Sequence, residues 1–480
     1  MKQPRAIIPI FFTELWERFG YYSIQGLLVL YLITYLDFTD AYAFATLGEF
    51  LSWIYIAPVF GGWIADRILG YRYSVLIGAI LLGAGYALLM TSGHLLLHLS
   101  LAIIIIGNGL LKPNSPSFLG LFYYYDDPRR YPGFTFYFTG INVGGLVAIL
   151  IANLASRFFG YSGAYAIAAV GMLIAIVVYI YGFRFYENRG LPIPQQPLRS
   201  LWLRALSNRY NLFLLLLILI QAIHFLLHSI HISTLILLLV AVGVFFSLFY
   251  VQTHNTKNTH NKLIAIMLLT STSVVFWALN LQIFFSMILF TDRYVERTFF
   301  DFQIPASFFV ILEPGFLLIL GPLLGNLWQK LSERNKEPNP IIKFALGLIT
   351  VAIAMGLMAI ATYTVPSNQL ISPVWLFVFY ALMTTGAIFI TPTGMAMITQ
   401  LAPTHLTGFM MGVWYMVIGL GGLLASLLAR LTIQDPMQAL SQPVLLYEHA
   451  FVIYAVIALL VSAFLFLISP YLKKLVHSQF

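Results

Sequence analysis

Glu14, Glu17 and Arg18 stand within five residues of one another, and Lys112 and Glu313 stand singly, all in stretches that are otherwise apolar. Such groups can do proton chemistry. Burial favours the protonated carboxyl and a neighbouring cation favours the ionised one, so a carboxylate that changes cationic partners takes up or releases a proton. On a helix Glu14 lies three residues before Glu17 and four before Arg18, so all three project from one sector. At the centre of a bilayer each charge costs about 2.5–3.5 kcal/mol on insertion scales, so such groups line a watery path or pair internally. The nearness of Glu14 to the N-terminus also fits an amphipathic helix start wetted by headgroups. Arg18 offers a two-pronged fork and Lys112 a point charge. Apolar residues on both sides of Lys112 suit a midplane position, while Pro113 and the basic loop beyond suit a helix-end anchor.

The elements that must hold these groups are membrane helices. Of 480 residues, 60% are hydrophobic and 9% charged, with a mean hydropathy of +0.89; soluble chains carry nearer ~25% charge. The apolar runs are unbroken over about 20 residues, which excludes the short alternating segments of a transmembrane β-barrel. The net charge of +8 does not point to nucleic acid, because Lys and Arg sit in short loops between apolar runs. The absence of cysteine excludes disulfides, thiolate metal sites and cysteine nucleophiles. Met1–Arg5 is too short for a cleavable signal, so the first helix is expected to stay as an anchor. No Gly-x-x-x-x-Gly-Lys-Ser/Thr loop occurs, which speaks against ATP drive; no covalent chemistry is expected.

Apolar runs predict spans at about 14–36, 44–66, 73–92, 98–121, 133–157 and 162–184, two more near 211–228 and 231–251, and six near 263–291, 306–329, 341–363, 373–401, 408–431 and 446–470. The expected fold is therefore an all-α polytopic membrane protein of about 14 transmembrane helices. Its expected domains are an N-terminal six-helix bundle (residues 1–187), a linker with two extra helices (188–261) and a C-terminal six-helix bundle (262–480). Lys2/Arg5, Arg67/Arg72, Arg129/Arg130, the Arg184–Arg209 connector with Arg199 and Arg204, Lys257/Lys262, Lys330/Arg334/Lys336 and Lys473/Lys474 fall on one side. Both termini are then expected to be cytoplasmic.

Two six-helix blocks are the layout of the major facilitator fold, with a substrate site between the halves. Gly62-Trp63-Ile64-Ala65-Asp66-Arg67 with Gly70 and Arg72 resembles that superfamily's loop between the second and third helices. Asp66 and Arg67 at a helix end can latch one conformation; an ordinary turn with positive-inside charge fits the same residues.

Glu14-x-x-Glu17-Arg18-Phe19-Gly20-Tyr21-Tyr22, Gly107-Asn108-Gly109-Leu110-Leu111-Lys112-Pro113-Asn114, Phe136–Gly144 and Leu401–Trp414 together resemble the proton-coupled oligopeptide transporter family in order along the chain, as do the two central helices its bacterial members carry. The resemblance implies a proton-driven symporter that imports di- and tripeptides across the bacterial inner membrane by alternating access, monomeric, with lipid and substrate as partners and the proton gradient in place of a cofactor. It assigns proton coupling to Glu14, Glu17, Arg18 and Lys112. It assigns peptide contact to Arg18, Lys112, Tyr21, Tyr22, Gln25, Tyr55, Asn142, Gln282 and Trp414. A free peptide has a cationic and an anionic end, so fixed charges of both signs suit it. For Asn142, helix packing through Gly140 and Gly144 is an equal reading, and Trp414 is either a cavity wall or gate or a packing residue.

Three positions depart from the family's pattern. Gln25 stands where many members have a second arginine, Leu281 where many have a seventh-helix glutamate, and Ala387 where a tenth-helix glutamate meets the peptide's amino end. Against these losses, Leu312-Glu313-Pro314 replaces an asparagine with a carboxylate, so Glu313 is expected either to take over the ammonium contact and share in proton coupling, or to stay neutral beside the Pro314 kink. Glu49 fits a helix start or a second cavity carboxylate near Tyr55. His224, His228 and His231 lie in or beside the linker helices with no acidic partner nearby, so packing or headgroup roles are expected rather than a metal. The losses also leave room for an uncoupled facilitator, a carrier of another solute or a non-transporting sensor.

Overall fold

The computed structural model describes residues 3–91, 93–124, 127, 129–191, 208–253, 257–299, 302–364, 369–401, 407–433 and 444–476. Arg199 and Arg204 of the connector, and Ala402-Pro403 of the late motif, lie outside them. The regular structure of the described residues is helical apart from one small antiparallel hairpin, Thr298–Phe299 with Phe302–Gln303, and a single parallel bridge between Val295 and Ile371. The helices are α1 (Ile7–Leu30), α2 (Asp40–Ile64), α3 (Gly70–Thr91), α4 (Leu97–Leu111), α5 (Asn114–Gly120), α6 (Arg130–Tyr181), α7 (Phe183–Tyr186), α8 (Arg209–His228) and α9 (Ile230–Thr253). They continue with α10 (Lys257–Asn280), α11 (Ser286–Tyr294), α12 (Leu312–Glu333), α13 (Pro340–Thr364), α14 (Val374–Leu401), α15 (Thr407–Ala429) and α16 (Val444–Val476).

Several boundaries differ from the apolar runs. Helix α1 starts at Ile7, not near 14, so Glu14 lies two turns inside it rather than at its start. Helix α2 starts at Asp40, which makes Glu49 its tenth residue. The run at 98–121 is broken at Lys112-Pro113, because proline lacks the N–H that would continue α4. The run at 263–291 is broken by a 3₁₀ turn over Leu281–Phe284. The expected break near 160 is found: α6 turns at Gly160, whose φ of 71° suits a residue without Cβ.

Among the described residues, nine stretches are long and apolar enough to cross a membrane, and two of them, Asp40–Thr91 and Pro132–Tyr181, run to 52 and 50 residues. At about 1.5 Å per residue each of those two exceeds twice the ~30 Å hydrocarbon core. Helix α1 is not among them because it holds three charges, nor is α4, which Pro113 limits to 15 residues. Charge and helix break mark the two elements that carry the ionisable cluster.

The chain forms two compact units, one of Met1–Asp37 with Trp53–Ser233 and the other of Phe38–Ser52 with Thr234–Phe480. In the first, α1 lies along α6, and α3 packs on α4 and α6. Leu27, Ala152, Ala155 and Ala164 meet in a buried cluster where small residues let the helices approach. In the second, α13 packs on α14 and α16, α10 on α15, and α12 on α14. Leu318, Ile319 and Leu323 on α12 and Leu460 and Leu467 on α16 are exposed, as lipid-facing residues are.

Candidate functional site

The first unit buries a closed ladder of charge. Glu14 and Glu17 on α1 are 0% exposed and Arg18 nearly so. The Arg18 guanidinium forks onto both Glu17 oxygens, and its Nε lies 3.9 Å from Glu14 Oε1. Lys112, at the end of α4, donates to Glu14 Oε1 over 3.2 Å. One turn back on α4, Asn108 Nδ2 donates to Glu17 Oε1 over 2.8 Å. The i, i+3 spacing on α1 meets the i, i+4 spacing on α4, so each carboxylate faces one α4 donor in addition to Arg18. Two anions and two cations sum to zero, the condition under which buried charge is tolerated.

Lys112 caps the end of α4, but its ammonium turns inward to Glu14 and its side chain is only 27% exposed. Counted from Leu97 it is about 22 Å along the helix axis. Pro113 and the short α5 that follows therefore position a cation inside the unit.

Helix α6 closes the other side. A Cβ on Gly144 would strike the Leu15 carbonyl and the Arg18 Cβ, so the absence of a side chain there lets α1 present its charges at this depth. Gly140 abuts Phe11, and Gly145 abuts the Tyr22 ring. Tyr137, on the same stripe of α6, faces Glu14 and Ser115. Asn142 lies on the opposite side of α6, exposed, with Nδ2 donating to the Phe138 carbonyl over 3.0 Å. The small-residue stripe thus packs on α1 while Asn142 stays outside the ladder.

Aromatic residues extend the cluster along α1. The Arg18 guanidinium sits 4.6 Å from the centre of the Tyr21 ring, a cation–π contact, and the Tyr21 and Tyr55 hydroxyls are 3.1 Å apart. Tyr22 meets Tyr21 edge-on at 5.3 Å. Gln25 is buried two turns beyond Arg18. Asp66 and Arg67 lie exposed in a π turn that ends α2, and Asp66 accepts from the Tyr71 hydroxyl over 2.9 Å.

In the second unit Glu313 lies in the first turn of α12, half-buried, after a 3₁₀ segment over Ala306–Ile311. Tyr380 of α14 faces it, and Thr384 Oγ1 donates to its carbonyl over 3.4 Å. Tyr380, Thr384 and Ala387 fall on one face of α14 by their spacing, so Glu313 borders the face that lacks a carboxylate at Ala387. Gln282 and Trp414 are both 0% exposed. The Gln282 amide donates to Ala425 O over 2.9 Å and accepts from Ser286 over 2.7 Å, tying the 3₁₀ break to α15. Trp414 packs over Gly394. His228 meets His98 edge-on at 5.4 Å, and among the described residues no group of three His, Cys, Asp or Glu side chains is arranged to hold a metal.

Sequence reasoning passed over Asn108 and Tyr137. Both were legible in principle. Asn108 precedes Lys112 by one turn, and Tyr137 precedes Gly140 and Gly144 by three and seven residues, so each shares a face with a residue already singled out.

A polytopic helical protein with a neutral ladder of buried acids and bases defines an integral membrane protein of the transporter class. A profile of the POT family matches residues 72–444, most of the chain. The chain is 31% identical to a dipeptide and tripeptide permease A of Erwinia pyrifoliae, over 100% of its own length and 96% of that protein. It is 30% identical to dipeptide and tripeptide permease B of Salmonella typhimurium, over 100% and 97%. A crystal structure of peptide transporter POT in complex with sulfate superposes with a TM-score of 0.85 at 27% identity, covering 98% of this chain and 96% of that one. A structure described for substrate recognition in proton dependent oligopeptide transporters gives 0.81 at 26% identity, covering 98% and 99%. The chain belongs to the POT family.

Proposed function

We propose that the protein is a proton-coupled symporter that imports di- and tripeptides across the bacterial inner membrane by alternating access. The observation that carries this is the ladder of Glu14 with Lys112 and Glu17 with Arg18 and Asn108. While both glutamates are ionised, the two cations are fully engaged. A proton on Glu14 leaves one positive charge in surplus on Lys112 and Arg18. A peptide carboxylate neutralises that surplus, so proton and substrate favour the same state, which is what symport requires.

In this reading Arg18 and Lys112 take the peptide's carboxylate, Tyr21, Tyr22, Tyr55, Gln25 and Asn142 serve its backbone, and Glu313 takes its ammonium. Burial of Gln282 and Trp414 supports a role in shaping the helices that line the path. Asp66 and Arg67 act as the latch at the end of α2. The two stretches of 50 residues or more support about fourteen crossings, arranged as residues 1–187, 188–261 and 262–480, with both termini in the cytoplasm and a monomer as the working unit. Leu281 and Ala387 favour one competing reading, an uncoupled facilitator.

The test is uptake of labelled dialanine into proteoliposomes with and without an inward proton gradient. Gradient-dependent accumulation supports symport. Uptake that ignores the gradient supports the facilitator, and binding without uptake rejects both.

A further inference from the structure

The second half of α6 presents two unlike faces. Met172, Ala175 and Tyr179 are buried, and a Cβ on Gly171 would strike the Trp16 ring, so this face belongs to the interior of the first unit. Val170, Leu173, Ile174, Val177, Ile180 and Tyr181 are exposed and recur at helical spacing, so they form one stripe on the opposite side. From Val170 to Tyr181 the stripe runs about 16 Å, the depth of one leaflet of the ~30 Å hydrocarbon core. Arg184 comes one turn later on the same face. Helical hydrogen bonding carries on to it, from Gly182 N–H to the Val178 carbonyl and from Phe185 N–H to the Gly182 carbonyl.

The end of the stripe is held in place from both sides. Arg184 is exposed, and its guanidinium lies 3.4 Å from the centre of the Tyr181 ring and 4.7 Å from that of Phe185. Among the described residues it has no carboxylate partner. Across the turn, Arg72 of α3 covers the Phe183 ring at 3.9 Å and donates to the Glu187 carbonyl over 3.1 Å. The Arg72 backbone N–H donates to Gly190 O over 2.9 Å, and the Tyr179 hydroxyl donates to Arg72 O over 3.0 Å. Glu187, the acid of this turn, is already paired with Arg189 over 3.4 Å. Three arginines thus meet one glutamate where the apolar stripe ends, and Arg184 is the one left facing outward.

We infer that this end of α6 is a binding site for an acidic phospholipid, with an acyl chain along the Val170–Tyr181 stripe and the phosphate on Arg184. A guanidinium without a carboxylate takes two phosphate oxygens through its paired N–H groups. The Tyr181 ring holds that guanidinium at the headgroup level, where amphipathic rings sit. An acidic lipid answers to both features together. Free phosphate would leave the stripe uncovered, and a zwitterionic lipid would bring a cation of its own beside Arg184. Arg184 also lies on the side expected to be cytoplasmic, where acidic headgroups attract basic residues. The inference rests on the membrane-spanning class of the chain and not on the symport reading.

The experiment titrates the full chain in detergent with phosphatidylglycerol and, separately, with phosphatidylcholine of the same acyl chains, and counts bound lipid by native mass spectrometry. The wild type is expected to bind the acidic lipid at least about fivefold more tightly. Arg184→Gln is expected to bring the two lipids within about twofold of each other, with an unchanged melting temperature in the absence of lipid. Arg334→Gln, at an exposed position just past α12, is the control for surface charge and should keep the wild-type preference. A preference retained by Arg184→Gln overturns the inference. An equal loss in Arg334→Gln reduces it to general basic charge and overturns it as well. Inorganic phosphate that displaces phosphatidylglycerol at matched concentration marks a free-anion site and overturns the lipid. Should Arg184→Gln fail to fold, Arg184→Lys decides, because it keeps the charge and loses the fork. A preference at least about twofold below the wild type then upholds the site, and an unchanged one overturns it.

Discussion

The Lys112 ammonium donates to Glu14 Oε1 over 3.2 Å, although 98 residues separate the two in sequence. Glu14 is fully buried, so Lys112 offsets a charge that water cannot reach. Lys112→Met should strand that charge at a cost of about 3–5 kcal/mol or leave Glu14 protonated at all times. Gradient-driven uptake should be abolished and the melting temperature in detergent lowered. Adding Glu14→Gln should restore most of the melting temperature but not the uptake. A single variant that melts and transports like the wild type refutes the pairing.

Proton coupling is tested at the two carboxylates themselves. Glu17→Gln keeps an acceptor for Asn108 but loses the charge that holds Arg18. Both Glu14→Gln and Glu17→Gln should lose accumulation against a gradient by at least about tenfold while counterflow survives. If each retains full proton-driven uptake, the ladder is structural only.

The amino end of the substrate should be read at Glu313, which borders Tyr380 and Thr384 on the α14 face that carries Ala387. The wild type should prefer a free dipeptide over its N-acetylated form, and Glu313→Gln should reduce that preference by about tenfold, near 1.4 kcal/mol. Equal discrimination by both proteins removes Glu313 from the site.

Close approach of α1 and α6 should be intolerant of bulk. Gly144→Leu drives a side chain into the Leu15 carbonyl and Arg18 Cβ and should cost about 1–3 kcal/mol or more, seen as lost folded yield and a lower melting temperature. Gly26→Ala is the control, since a Cβ there meets nothing within 4 Å and alanine favours the helix. Indistinguishable melting of the two variants would contradict the packing.

Gln282 should behave as a positioning residue. Gln282→Leu leaves the Ser286 hydroxyl and the Ala425 carbonyl without their partner, at about 1–3 kcal/mol. The melting temperature should fall with little change in the KM for dialanine. A raised KM with unchanged melting would place the amide against substrate.

Much of the site was legible because helical spacing is local. Glu14, Glu17 and Arg18 had to share a face, and Gly140 and Gly144 had to form a stripe, whatever the rest of the chain did. The misplaced starts of α1 and α2 have one cause. The helix takes in whatever its hydrogen bonds can hold: Ile7 to Phe12 is itself apolar, and Pro9 is tolerated there because it lies in the first turn, while α2 starts at Asp40, ahead of its apolar run. That shift matters for Glu49, which the apolar run set near a helix start and which the helix carries to its tenth residue.

By itself the sequence determined the all-helical membrane class, the charged face of α1, the break at Gly160 and the family. Hydropathy, periodicity and short motifs are properties of neighbouring residues. Only the tertiary structure decided that Glu14 meets Lys112, that Glu17 meets Asn108, that Asn142 stands on the far side of α6 and that Glu49 meets Thr234. A helix fixes which residues share a face, but the partner of that face is chosen by packing between segments far apart in the chain.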